Sequence, residues 1–215
     1  MKKRRLVKKH IKEAVALAAG LFLFGSGAIL LWLGNIEIPN LDTLSERRVT
    51  QSTKIFDRTG ETLLYDIHEN ERRTVVPFTQ ISRNIKNATV AIEDASFYQH
   101  RGIDPKAILR AISANLTNFS YSQGGSTITQ QVVKNSILTN DKTITRKLKE
   151  WVLALKLEKK MGKEEILSLY LNEIPYGGSL YGIEEASQNY FGKKAAVLSI
   201  AEAAYLASLP QAPSY

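Results

Sequence analysis

Glu93 and Asp94 are adjacent carboxylates, placed at helical spacing one turn before Phe97 and two before His100. They open the run Glu93-Asp94-Ala95-Ser96-Phe97-Tyr98-Gln99-His100-Arg101-Gly102. A further carboxylate, Glu150, is embedded in cations in Arg146-Lys147-Leu148-Lys149-Glu150. Between the two lies Gly124-Gly125-Ser126-Thr127-Ile128-Thr129-Gln130-Gln131, rich in donors and acceptors. Carboxylates beside cations suit the transfer of a sugar away from a phosphate. One carboxylate takes a proton while the cations hold the departing charge.

Taken singly, each segment also has a plain structural reading. Glu93 has Thr89 and Val90 behind it and Phe97 ahead of it at helical spacing. An apolar lining would raise its pKa and make it a usable acid or base. A solvated Glu on an amphipathic helix is the ordinary alternative. Around Glu150, Ile144, Leu148, Trp151 and Leu155 form one stripe; Leu153, Ala154 and Leu157 form an opposite one that includes Arg146 and Glu150. A helix apolar on both sides is mostly buried, and a buried Arg146 and Glu150 demand partners. An i,i+4 pair between them, cation first, contributes only about 0.2–0.5 kcal/mol. A site and a simple ion pair therefore both stay open. The Gly124–Gln131 stretch lacks the Gly-Lys-Ser/Thr ending of a phosphate-binding P-loop. A helix cap at Ser126 or Thr127 would explain its start, but not Gln130, Gln131, Lys134 and Asn135 on one helix. The paired glycines predict a mobile lid within 118–128. His100 alone reads as a structural hydrogen-bonder.

These residues need a helical frame. The pattern predicts a hairpin of Lys54-Ile55-Phe56 and Thr62-Leu63-Leu64-Tyr65 around the Asp57–Glu61 turn, and a third strand at Arg72–Val76. From Ser82 onward the period is helical. The first helix carries Ile85, Ala88, Ile92 and Ala95 and is expected to stop near Gly102. Asp104-Pro105 reads as an N-cap and first helical position. Further helices fit about 127–137, 143–160, 163–172, 180–190 and 199–209. Ser199 and Glu202 form a capping box for the last.

Composition bounds the rest. The chain has 215 residues, 44% of them hydrophobic, and no Cys, which excludes disulfides and Cys-ligated metals. His10, His68 and His100 are scattered, against a His-rich metal site. The formal charge is +8, but Lys2, Lys3, Arg4, Arg5, Lys8, Lys9 and Lys12 supply most of it. A nucleic-acid binder carries its charge on the folded body, so that class is excluded. No charged residue occurs from Ala14 to Ile36. Ala14–Leu33 would make a helix of about 30 Å, enough to cross a bilayer. Trp32 stands near its far end, and the preceding cations predict a cytoplasmic N-terminus.

Together the segments closely resemble the peptidoglycan glycosyltransferases, the transglycosylase domain of class A penicillin-binding proteins and of monofunctional transglycosylases. The matching motifs are Glu93–Gly102, Gly125–Gln131, Arg146–Glu150 and Lys163–Asn172, in the family's order. The resemblance implies a mainly α, lysozyme-like domain, to which the residue pattern adds a small β-hairpin element and an N-terminal transmembrane helix. Charge, hydropathy and the resemblance together divide the chain into a basic tail (1–13), membrane helix (14–33), tether (34–51) and glycosyltransferase domain (52–215). The family's fifth motif would follow Tyr215, so that domain is expected to be C-terminally incomplete.

The resemblance further implies polymerisation of lipid II by inverting transfer, with release of undecaprenyl pyrophosphate outside the cell membrane. Glu93 would be the base and Glu150 the second catalytic carboxylate. Asp94, Phe97 and His100 would hold the base. Lys134, Arg146 and Lys147 would neutralise the pyrophosphate, and Ser126, Thr127, Gln130, Gln131 and Asn135 would line the donor side. No cofactor is required by the sequence, although a divalent cation, Mg or Mn, could assist the pyrophosphate. The implied partners are lipid II, the growing glycan strand, the bilayer and other cell-wall synthesis proteins. A lysozyme-like lytic glycosidase and a non-catalytic membrane-anchored binding module are the alternatives.

Overall fold

The computed structural model describes residues 2–34, 51–67, 71–118, 125–138 and 143–211. It separates into two compact units, Met1–Pro39 and Asn40–Tyr215. The tether expected at 34–51 and the core of the expected lid fall largely outside the described residues.

The first unit holds one helix, α1, Lys2–Gly34, of 33 residues. The stretch expected to span a membrane lies inside it. Among the described residues, no helix is long and apolar enough to cross a membrane. Several side chains of the apolar stretch, Trp32 among them, lie outside that description.

In the second unit, β1 (Thr53–Phe56) and β2 (Leu63–Ile67) form the expected antiparallel hairpin, pairing Thr53 with Ile67 and Ile55 with Tyr65. Asp57 closes the turn. Its Oδ1 accepts from Thr59 Oγ1 at 2.7 Å and from the Glu61 amide at 3.2 Å. The expected third strand is only Arg72–Arg73, β3. It pairs in parallel with β4, Leu180–Tyr181, rather than with the hairpin. Segment 180–190, read as wholly helical, therefore begins with two strand residues. The Arg73 carbonyl is already engaged by the Ser52 amide at 3.0 Å.

Seven α-helices, with three short 3-10 turns, make up most of the described remainder of this unit. They are α2 (Arg83–Glu93), α3 (Pro105–Asn118), α4 (Ile128–Ser136), α5 (Ile144–Lys160), α6 (Lys163–Glu173), α7 (Ile183–Phe191) and α8 (Ile200–Ser208). Helix starts follow local chemistry. Ser82, Thr127, Thr143 and Ser199 each cap a following helix through their side chains. Helix α2 packs on α8, and α4 packs on both α5 and α6. Ile85, Phe97, Ile128, Val133, Leu153, Leu157, Ile166, Leu171, Ile183 and Leu206 form the buried core. The two-sided burial expected of α5 is not observed. Leu153, Ala154 and Leu157 are buried, whereas Leu155 is 42% exposed.

The cap of α8 predicts an acid-sensitive contact. Glu202 is held down to about 2, first by the Lys193 ammonium and then by the Ser199 amide and hydroxyl. A carboxyl depressed below its unfolded pKa adds stability above about pH 4.3, and that contribution is lost as pH falls toward 2. The melting-temperature difference between wild type and Glu202→Gln should therefore be present at pH 6 and shrink toward zero near pH 2.

Candidate active site

Helix α2 ends at Asp94, where the backbone leaves helical geometry (φ −158°, ψ 73°), well before Gly102. The chain then turns, with the Phe97 amide donating to the Asp94 carbonyl at 2.8 Å. Phe97 and His100 are thus not on the helix of Glu93. They are folded back beneath its end. Phe97 is fully buried, and the His100 ring meets it edge-on at 6.2 Å between centroids. His100 Nε2 lies 3.0 and 2.9 Å from the two Asp94 oxygens. Asp94 Oδ2 also accepts from the Ile128 amide at 3.1 Å, at the start of α4. A buried carboxylate held by an imidazole and a backbone N–H is fixed in position.

Glu93 is the last residue of α2 and faces a cavity of about 710 Å³. Gln131 Nε2 donates to Glu93 Oε2 at 2.6 Å. This contact replaces the apolar lining expected from Thr89 and Phe97, both of which are buried in the core. Tyr170 and Tyr176 are buried nearby. Burial first, and the Glu93 charge second, push both hydroxyls far above the usual tyrosine range, so they remain neutral.

The Gly125–Gln131 motif divides its work. Thr127 caps α4 and shares a capping box with the fully buried Gln130. Thr127 Oγ1 also donates to the Gly102 carbonyl at 2.7 Å. Thr127 lines the cavity, but Gln130 is a structural residue rather than a lining one. Ser126 and Gln131 line the cavity. Lys134 and Asn135 are exposed near the end of α4 and are not among its lining residues. Gly124 lies outside the described residues.

Glu150 is 2% exposed, and its cation is Lys147, one turn earlier, rather than Arg146. Lys147 Nζ also donates to Ser126 Oγ at 2.7 Å, bringing the ammonium to the cavity's edge. Arg146 Nε is buried without a hydrogen-bond partner among the described residues. Lys147→Ala should therefore strand Glu150 and cost roughly 1–3 kcal/mol, between the limits for exposed and buried pairs. Arg146→Ala should cost less, because it leaves Glu150 with its Lys147 partner. Thermal melts of the two variants check the order.

Several residues escaped sequence reasoning. Ser96, Gln99, Asp104 and Arg110 also line the cavity. Asp104 was legible only as the α3 cap, which it is, accepting from the Lys106 and Ala107 amides. Its second oxygen takes the Ser96 hydroxyl, and that bond is the main cause holding its carboxyl below the usual range. In the fourth motif, Asn172 pins the extended segment before Pro77. It accepts from the Val76 amide at 3.0 Å and donates to the Val76 carbonyl at 3.1 Å. Among the described residues, no group of three or more His, Asp or Glu is arranged to hold a metal ion.

The family described as Transglycosylase matches residues 60–215. A penicillin-binding protein 1A of Rickettsia bellii is 39% identical over 211 residues, covering 96% of this chain and 26% of that protein. One from Clostridium perfringens is 44% identical over 180 residues, 82% of this chain and 26% of its own. One from Aquifex aeolicus is 41% identical over 211 residues, 98% and 28% respectively. The chain spans about a quarter of the length of these relatives.

Proposed function

The chain belongs to the transglycosylase family, and from that premise we propose that it is a peptidoglycan glycosyltransferase with a lysozyme-like catalytic domain. Its substrate is lipid II, and its product is a longer glycan strand. The observation that carries the reading is Glu93 at the wall of a polar cavity, with Asp94 clamped behind it and Gln131 beside it.

The acceptor's 4-hydroxyl oxygen forms a bond to the donor's anomeric carbon as the bond from that carbon to pyrophosphate breaks. The hydroxyl proton passes to Glu93, and the electron pair of the broken bond leaves with undecaprenyl pyrophosphate. Attack opposite the leaving group inverts the anomeric centre. Lys147 stands at the cavity's edge through Ser126, and Arg146 carries a donor with no described partner. Fixed cations of this kind stabilise charge growing on a leaving oxygen without reorganising. Lys134, exposed on α4, would supply a further cation for the pyrophosphate.

The exposure of Leu21, Phe22 and Phe24 on α1, at 65%, 76% and 80%, supports a bilayer anchor. Burying each such side chain in an apolar phase is worth about 1.5–3 kcal/mol. The basic N-terminus then stays cytoplasmic and the catalytic unit lies outside. Deleting residues 2–34 should move the protein out of the membrane fraction.

The test of activity is incubation with labelled lipid II. Glycan polymer supports the reading. Degradation of preformed glycan would instead favour a lytic glycosidase, and neither product a non-catalytic binding module.

A further inference from the structure

Behind the cavity, a closed chain of contacts ties three helices to the turn that fixes Asp94. Glu158, near the end of α5, has a side chain only 6% exposed. Its Oε1 accepts from Lys163 Nζ at 2.6 Å, across the Met161–Gly162 joint between α5 and α6. The same oxygen accepts from Thr129 Oγ1 at 2.6 Å. Thr129 is fully buried and adjoins Ile128, whose amide donates to Asp94. The Lys163 ammonium also lies over the Phe97 ring, 4.4 Å from its centroid. Phe97 in turn hydrogen-bonds through its amide to the Asp94 carbonyl.

Asp94 is therefore approached from two directions by one ion pair. One route runs through Thr129 and the start of α4, and the other through the face of Phe97. Neither Glu158 nor Lys163 lines the cavity. A buried ion pair is rarely the most stabilising choice for such a place, since well-packed apolar residues are often as stable. A cation held over an aromatic face by its own counter-ion fixes the ring's position and tilt directionally.

We infer that Glu158 and Lys163 are positioning residues, which with Thr129 set the 94–100 turn and thereby the orientation of Glu93. The turnover part of this inference rests on the glycosyltransferase reading; the structural part does not.

The double variant Lys163→Met/Glu158→Gln removes both charges together, keeps the aliphatic stem over Phe97 and leaves Thr129 an acceptor. Its melting temperature should stay close to wild type. Displacement of reacting groups by a remote change can cost about 100-fold in rate, so turnover at saturating lipid II should fall about 10- to 100-fold. KM should change less than turnover, because neither substituted residue itself lines the cavity. Lys163→Arg, which keeps a cation beside Glu158 and over Phe97, should retain more turnover than the double variant. Independently of activity, amide hydrogen exchange at Phe97 and Ile128 should accelerate in the double variant.

Thr129→Val, which cuts one contact only, should shift both readouts in the same sense and guards against a double variant that fails to fold. Wild-type turnover together with unchanged exchange in a folded variant overturns the inference. If the wild-type protein itself makes no polymer, the glycosyltransferase reading fails. The exchange measurement then decides the positioning network alone: acceleration supports it and no change overturns it.

Discussion

Glu93→Gln is expected to abolish nearly all polymerisation of lipid II while leaving the fold and lipid binding in place. The substitution keeps size and hydrogen-bonding capacity and removes the basic oxygen. Loss of a positioned general base costs about 10²–10⁴-fold in rate. The surroundings favour a clean result. Gln131 Nε2 donates to Glu93 at 2.6 Å, and the introduced side-chain amide would offer its carbonyl oxygen for the same bond. Asp94 is held separately by His100 and Ile128, so the replacement leaves its clamp untouched. Single-turnover assays with labelled lipid II, beside melting curves and a binding assay, measure all three properties. Turnover within a few-fold of wild type would remove Glu93 from the role of base.

Gly102→Ala is expected to be the most damaging small substitution for stability. Gly102 has φ +87°, a region that non-glycine residues enter only with strain. A β-carbon there would lie 2.7 Å from the Ala154 carbonyl oxygen and 2.8 Å from its carbon. Those atoms belong to the backbone of α5 and cannot swing aside. Strained backbone and forced overpacking each cost about 1–3 kcal/mol, so the loss is roughly 2–6 kcal/mol. The Gly102 carbonyl also receives the Thr127 hydroxyl at 2.7 Å. Displacing it should disturb the Ser126–Gln131 segment as well, so turnover of the surviving folded fraction should fall too. A melting temperature near wild type would show that the close approach is not retained in solution.

Short-range signals carry far in this chain. The hairpin around Asp57, the cap at Ser199 and most helices of the C-terminal half follow from spacing and cap chemistry, which act within a few residues. Glu158 escaped that reading, although it continues the buried face of Ala154 at i+4 and of Glu150 at i+8. Its partners Thr129 and Lys163 come from other helices, and helical spacing within α5 says nothing about them.

The sequence alone marked candidate residues and the ordered motifs that carry them. It did not determine which oxygen each would meet. Helical spacing put Phe97 and His100 on the helix of Glu93; the structure ends that helix at Asp94 and folds both residues under it. The reason is long-range. The Asp94 carboxylate is claimed by His100 and by the amide of Ile128, a residue 34 positions away. Lys147, not Arg146, meets Glu150 with an ammonium that also binds Ser126, 21 positions away, and the rotation of α5 that buries Leu153, Ala154 and Leu157 is likewise set by its neighbours. The stripes alone left that rotation undecided, because both faces of α5 carry apolar residues and only contact with neighbouring helices selects one.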